Sequence, residues 1–277
     1  MHSTEGPADA HAERAATTYG AAADHYCCPP LGFWNRFGAA TVSRLALAPG
    51  TTVLDLCCGA GASALAAARA VGPTGHVLGI DVAGPLLDAA RARAGAEGLD
   101  NVEFRRHDAR HTGLPDEAFD VVVCVFGVFF VADMPGFVSE MWRLVRPGGR
   151  LAITTWGPGF VEPGSSIFWE GVRELEPSLY RGFSPWDEIT TPEALGRLLQ
   201  DGGAAAPALH AASGSQPLAR PEEFWDIVLG TGYRATVDAL APAQRTQLRD
   251  RVVERLREAA VSELRTDVVF AIAERPA

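Results

Sequence analysis

Apolar runs of strand length recur along residues 52–156, and helical spacing fills the gaps between them. "TVLDLCC" (52–58) predicts a first strand, and "GASALAAARAV" after it predicts a helix of small residues. "GHVLGIDV" (75–82), "VEFRRHDA" (102–109) and "FDVVVCVFGVFF" (119–130) predict three more strands. The last of these is apolar almost throughout, as a strand covered on both faces should be. "GPLLDAARARAGAEGL" reads as a helix with proline near its start. "MPGFVSEMWRLV" places Phe137, Met141 and Leu144 on one helical stripe, and "RPGGRLAITTW" turns into a fifth strand. Strands alternating with helices of this length predict an α/β fold with a doubly wound parallel sheet.

The flanks follow other rhythms. Residues 12–47 are patterned as helix, broken by "CCPPLG". Residues 158–189 are rich in proline, glycine and aromatics, which predicts an inserted, partly mobile segment outside the core. "TTPEALGRLLQDGG" predicts a capped helix, with Thr191 as N-cap, Pro192 in the first position and Gly202 as stop. "ALHAASGSQPLA" predicts one short strand, residues 217–260 a helical insert, and "TDVVFAIAERP" the last strand. The expected division is an N-terminal helical lid (1–47), a Rossmann-like core (48–157), a cap insert (158–189) and a C-terminal part of the core (190–277). The first ten or so residues are expected to be disordered.

Composition narrows the function. The chain has 277 residues, 47% of them hydrophobic, enough for a sizeable core. No run of 18 apolar residues exists, so no membrane helix is expected. The polar N-terminus lacks an apolar signal region, which points to the cytoplasm. A net charge of −10 argues against a nucleic-acid partner, because phosphates call for a basic surface. All 24 basic residues are arginine, which excludes Schiff-base chemistry and a P-loop lysine. The five cysteines (27, 28, 57, 58 and 124) form adjacent pairs without C-x-x-C spacing, and read as structural thiols in a reducing compartment. No pairing of carboxylates marks a metal site, so none is expected.

The candidate chemistry centres on "VLDLCCGAGASA". Gly59 and Gly61 let the backbone approach a ligand, and the helix after them presents free N–H groups. Asp81 ends the second strand, where a carboxylate can take both ribose hydroxyls. The spacing also fits the nicotinamide fingerprint G-x-G-x-x-G/A, so the turn alone leaves two cofactors open. Three features favour a sulfonium cofactor. Asp55 lies inside the first strand, where a carboxylate would repel a pyrophosphate. The motif begins only after some 50 residues, whereas dinucleotide domains often open with it. The order of elements after "RPGGRLAITTW" predicts a last strand inserted antiparallel into a seven-stranded sheet.

Together, "VLDLCCGAGAS", "GIDVA", "RRHDA", "LPDEAFDVVVCVFGVFF" and "VRPGGRLAITTW" resemble class I S-adenosylmethionine-dependent methyltransferases, in particular their UbiE-like (methyltransferase 11) group. The resemblance covers residues 40–157 by motif and 190–277 by element order. Ser63 departs from it, standing where many members have glycine. The resemblance implies that Asp55, Gly59 and Gly61 line the methionine end of S-adenosylmethionine and that Asp81 binds the ribose. Val82 would pack on the adenine, Asp108 would accept from its amino group, and the Ala109 backbone would lie beside it. Phe126 and Gly127 would floor the sulfonium, with Tyr19 and Tyr26 as cover. Bland readings stand beside two of these: Asp81 as a helix N-cap and Asp108 as a turn residue.

The inserts are aromatic, which suggests a small, largely apolar acceptor and, as the first expectation, O-methylation of a secondary metabolite. C- or N-methylation stays open. His25, in the lid, is the candidate base, ahead of His107, His111 and His210. The alternatives are an NAD(P)-dependent oxidoreductase and a protein of the same fold with a non-methylating, cyclase-type role.

Overall fold

The computed structural model describes residues 7–277, with side chains from Glu13 onward. Two helices lead in, α1 (Pro7–Tyr26) and α2 (Phe33–Arg44). The expected disordered start falls on residues 1–6, outside the described residues, and on the first turn of α1.

The core then alternates as the pattern predicts: β1 (Thr52–Leu56), α3 (Ala62–Val71), β2 (His76–Asp81), α4 (Gly84–Glu97), β3 (Val102–Arg106), β4 (Phe119–Val125), α5 (Met134–Leu144) and β5 (Val145–Trp156). Next come α6 (Gly164–Leu175), α7 (Pro192–Asp201), β6 (Ala208–Ala212), β7 (Ser215–Pro217), α8 (Glu223–Leu229), α9 (Arg234–Asp238), α10 (Pro242–Glu258), β8 (Glu263–Arg265) and β9 (Val268–Glu274). Seven strands form one sheet in the order β3-β2-β1-β4-β5-β9-β6. β1 to β5 pair in parallel, while β9 runs antiparallel to both β5 and β6. The expected inserted last strand is thus present.

Side-chain alternation along each strand splits the core between the two faces of the sheet. Val53 of β1 and Val121 and Val123 of β4 pack with the alanine-rich α3. Leu54, Leu56, Val122 and Cys124 point the other way, into a cluster with Phe137 and Met141 of α5. Asp55 shares the parity of Val53 and so goes to the α3 face, fully buried, where Ser63 Oγ donates to its Oδ2 at 2.7 Å. A mid-strand side chain points to a sheet face and not over the edge, so Asp55 does not line the site as the resemblance implied. Ser63, the departure from the motif, is the partner that Asp55 uses.

Three expectations need correction. The apolar run 119–130 is strand only to Val125. Phe126 adopts φ +57°, which breaks the ladder and starts a short 3₁₀ turn at 128–130. The segment 158–189 is not outside the core. Its helix α6 buries Phe168 and Val172, and α10 packs along it. "ALHAASGSQPLA" is two strands, β6 and β7. The chain turns at Gly214, whose N–H donates to Asp267 Oδ1, and β7 pairs with β8 in a separate ribbon. No helix among the described residues is long and apolar enough to cross a membrane.

Two stability predictions follow from this packing. Trp156, 1% exposed, stacks between Phe126 (3.7 Å) and Phe160 (3.9 Å), so Trp156→Ala should cost about 3–5 kcal/mol in chemical unfolding. Burial raises the Asp55 carboxyl to about 7, with Ser63 only partly offsetting it. The folded state therefore holds a proton that the unfolded chain releases near pH 4, and stability from this group falls as pH rises from about 4 to about 7. Asp55→Asn removes the titration. Its stability relative to the parent should rise with pH by up to roughly 1.4 kcal/mol per unit and level off above pH 7. Urea melts at about pH 5 and pH 8 measure the difference, and the same value at both would refute it.

Candidate active site: two adjoining cavities

At the carboxyl end of β1 the chain makes a sharp left-handed turn. Cys57 holds φ +59°, Gly59 +52° and Gly61 +80°. A side chain on Gly59 would meet the Tyr26 hydroxyl at 3.0 Å, so glycine is needed there for the close approach as well as for the turn. Asp81, at the end of β2, accepts from the Gly59 N–H (2.8 Å, Oδ2) and from the Ala83 N–H (2.8 Å, Oδ1). Burial raises its carboxyl above the ordinary value, and backbone N–H groups of Ala83, Gly59 and Val82 counter part of that shift.

These groups wall an inner cavity of about 90 Å³, lined also by Tyr19, Tyr26, Val82, Asp108, Ala109 and Phe126. Asp108 caps the short turn after β3, accepting from Arg110 N (2.9 Å), while the Arg110 Nε lies 3.0 Å from both of its oxygens. Burial works against ionisation of Asp108, but the Arg110 bonds outweigh it and hold the carboxyl below its ordinary value. Arg110 also lines the cavity.

An outer chamber of about 730 Å³ adjoins the inner one. The two share Ala15, Tyr19, Trp34, Phe126, Phe130 and Val131. Farther out, the chamber is walled by Phe129, Trp156, Phe160, Trp169, Trp186 and Tyr233, so aromatic rings surround it. Among the described residues, its charged side chains are Glu13, Arg14 and Arg181. Burial pushes the Tyr19 and Tyr26 phenols up, with nearby phenol and Asp81 charges adding to the effect, so both stay neutral.

Eight of the residues expected from the sequence thus line the inner cavity: Tyr19, Tyr26, Gly59, Asp81, Val82, Asp108, Ala109 and Phe126. Asp55, Gly61 and Gly127 support the wall from behind. Gly61 caps α3, where a Cβ would lie 3.2 Å from Ala90 and from Phe104. Gly127 backs onto Cys57, whose Cβ would be 2.5 Å from an added one. His25 lines neither cavity. Tyr19 and Tyr26, seven residues apart, share a face of α1, and His25 sits about 100° away on the side packed by α8, with Nδ1 3.3 Å from Asp226 Oδ1.

Trp34, Phe130 and Cys57 line the inner cavity without having been expected as cofactor contacts. Trp34 stacks on Tyr26 at 5.1 Å and 5°. Its signal was its place in the aromatic "GFW" that opens α2. Cys57 is kept as a neutral thiol by the neighbouring Cys124 thiol and by burial. All five cysteines are free, as expected.

The residues suit a sulfonium nucleoside better than a dinucleotide. The Gly59 N–H that would meet a pyrophosphate is already engaged by the Asp81 carboxylate, and aromatic faces, which attract cations, surround the remaining space.

Comparison with known proteins agrees. Residues 53–149 match the family model described as "Methyltransferase domain". Nocamycin O-methyltransferase of Saccharothrix syringae is 34% identical over 185 residues, 67% of this chain and 60% of that protein. Demethylmenaquinone methyltransferase of Listeria welshimeri is 37% identical over 112 residues, 40% of this chain and 48% of that protein. Phosphoethanolamine N-methyltransferase 2 of Haemonchus contortus, solved with S-adenosyl-L-methionine, superposes with a TM-score of 0.52 at 19% identity. That match covers 87% of this chain and 53% of the other, and it speaks for the fold alone. The chain spans about half the length of the curated relatives it matches. Methyltransferase relatives in sequence, the inserted antiparallel strand and a glycine turn already bonded to Asp81 converge: the chain belongs to the class I S-adenosylmethionine-dependent methyltransferases, with S-adenosylmethionine as cofactor.

Proposed function

We propose that the protein methylates a small, largely apolar acceptor seated in the outer chamber, and that the leading reaction is O-methylation of a secondary metabolite. The observation that carries this reading is the aromatic wall common to the outer chamber and the glycine-turn cavity. It would seat an apolar acceptor against the donor site. The O-methyltransferase relative supports the choice of oxygen as nucleophile.

A bound cofactor would supply a methyl group on a sulfonium. Asp81 would hold its ribose through the carboxylate lone pairs left beside the Gly59 and Ala83 bonds. Val82 and Ala109 would flank the adenine, with the Asp108–Arg110 pair at its edge. Phe126, 5% exposed and stacked on Trp156, would give the transfer site a firmly held floor. The inner cavity is below the roughly 300–1,000 Å³ of ordinary small-molecule pockets, so the cofactor would need its wall to open or would reach into the adjoining chamber.

Among the described residues, the chamber's lining contains no histidine, and Glu13 is its one carboxylate. Alignment and desolvation then provide most of the acceleration, which suits an acceptor that ionises readily, such as a phenol or an enol.

Incubation with methyl-labelled S-adenosylmethionine and a panel of phenols, enols and amines tests this directly. Label in an apolar phenol or enol is expected. Tight cofactor binding with label in no acceptor would favour the non-methylating alternative. Asp81→Ala should weaken S-adenosylhomocysteine binding by roughly 1–3 kcal/mol in calorimetry, and unchanged affinity would refute the ribose assignment.

A further inference from the structure

Beside the outer chamber lies a third cavity, a groove of about 340 Å³ open to solvent. It is framed by the loop before α6 (159–162), by α6 and by the loop 180–187. Its character changes from that of the chamber. Glu162, Ser165, Ser166, Glu170, Arg173, Arg181 and Asp187 line it, with aromatic rings between them. Phe160, Trp169, Arg181, Phe183, Ser184 and Trp186 belong to both spaces, so a molecule in the chamber can extend into the groove along these residues.

The groove's donors and acceptors are only partly used by the protein. Glu162 is taken by Ser166, and Asp187 by the Ser184 N–H. Glu170 and Arg181 make no hydrogen bond or ion pair among the described residues. Arg173 lies 5.6 Å over the Tyr180 ring. Three large hydrophobic side chains stand exposed on the described surface, and two of them are here, Tyr180 at 40% and Phe183 at 57%. An open carboxylate, an open guanidinium and exposed ring faces within one short segment make a surface with both hydrogen-bonding signs and flat apolar platforms. An anion would find Glu162, Glu170 and Asp187 against it. A second apolar ring would leave the charged groups desolvated without partners. A neutral polyol suits both, since its hydroxyls donate to Glu170 and accept from Arg181 while its C–H face rests on a ring.

We infer that the groove is a glycosyl subsite: the acceptor is an apolar ring system carrying a neutral sugar, with the aglycone in the aromatic chamber and the sugar between Glu170, Arg181 and Tyr180. This rests on the methyltransferase reading, because it takes the chamber as the acceptor's seat. It goes beyond it by naming a polar half that the chamber alone would not accept.

The test uses the whole protein loaded with S-adenosylhomocysteine and three probes: 1-naphthol, 1-naphthyl β-D-glucopyranoside and 1-naphthyl sulfate. Calorimetric binding of S-adenosylhomocysteine is measured first. Failure at that step counts against the methyltransferase reading, whereas the probe comparison judges the subsite alone. The glucoside should bind about tenfold or more tighter than naphthol, and the sulfate no tighter than naphthol. Glu170→Ala, on an exposed side chain that lines only the groove, should remove most of the glucoside's advantage and leave naphthol affinity unchanged. Arg181→Ala, which also touches the chamber, should lower the ratio of glucoside to naphthol affinity to the same extent. Equal affinity for glucoside and naphthol, preference for the sulfate, no binding of any probe, or glucoside preference untouched by both variants would each overturn the assignment.

Discussion

Everything in the site depends on one place in the sheet, the parallel pairing of β1 with β4, where the strand order reverses. The chain leaving β1 turns to α3 on one face, and the chain leaving β4 turns to α5 on the other. Two neighbouring strands thus send their continuations apart and leave a crevice above their carboxyl ends. The cost of opening it appears in the backbone. Cys57 and Phe126, neither of them glycine, both take positive φ just past these two strands. Such conformations cost on the order of 1–3 kcal/mol each and persist only where packing enforces them. Here the enforcing contacts are the Phe126–Trp156–Phe160 stack and the tight seat of Gly127 against Cys57.

The parts of the fold written in periodicity could be read directly from the chain. Alternation of two and of three to four residues located the core strands and helices, and the order of elements after β5 implied the antiparallel insertion. What periodicity does not encode was missed. An apolar run gives no sign of the residue at which φ turns positive, so β4 looked longer than it is. The proline- and aromatic-rich segment hid α6, because its buried stripe of Phe168 and Val172 is short and surrounded by turn residues.

The site divides along the same line. Asp81, the last residue of β2, and Asp108, two residues past β3, could be placed because a strand's end points over the edge. Asp55 sits only a few residues from the turn, but its parity sends it to a face. His25 was drawn in by its chemistry, and a single step around α1 removes it to the α8 side. Trp34 reaches the site through tertiary packing on Tyr26, across the interruption between α1 and α2 that no local pattern spans.

The common wall between the two cavities has a thermodynamic consequence. Tyr19, Trp34, Phe126 and Phe130 touch both spaces, so an occupant of one that ordered these rings would change what the occupant of the other encounters. Any free energy that one ligand contributes to ordering those rings is returned in equal measure to its companion's affinity, whichever arrives first. On the proposed reading, donor and acceptor would therefore be reciprocal effectors, each changing the other's apparent dissociation constant by the same factor.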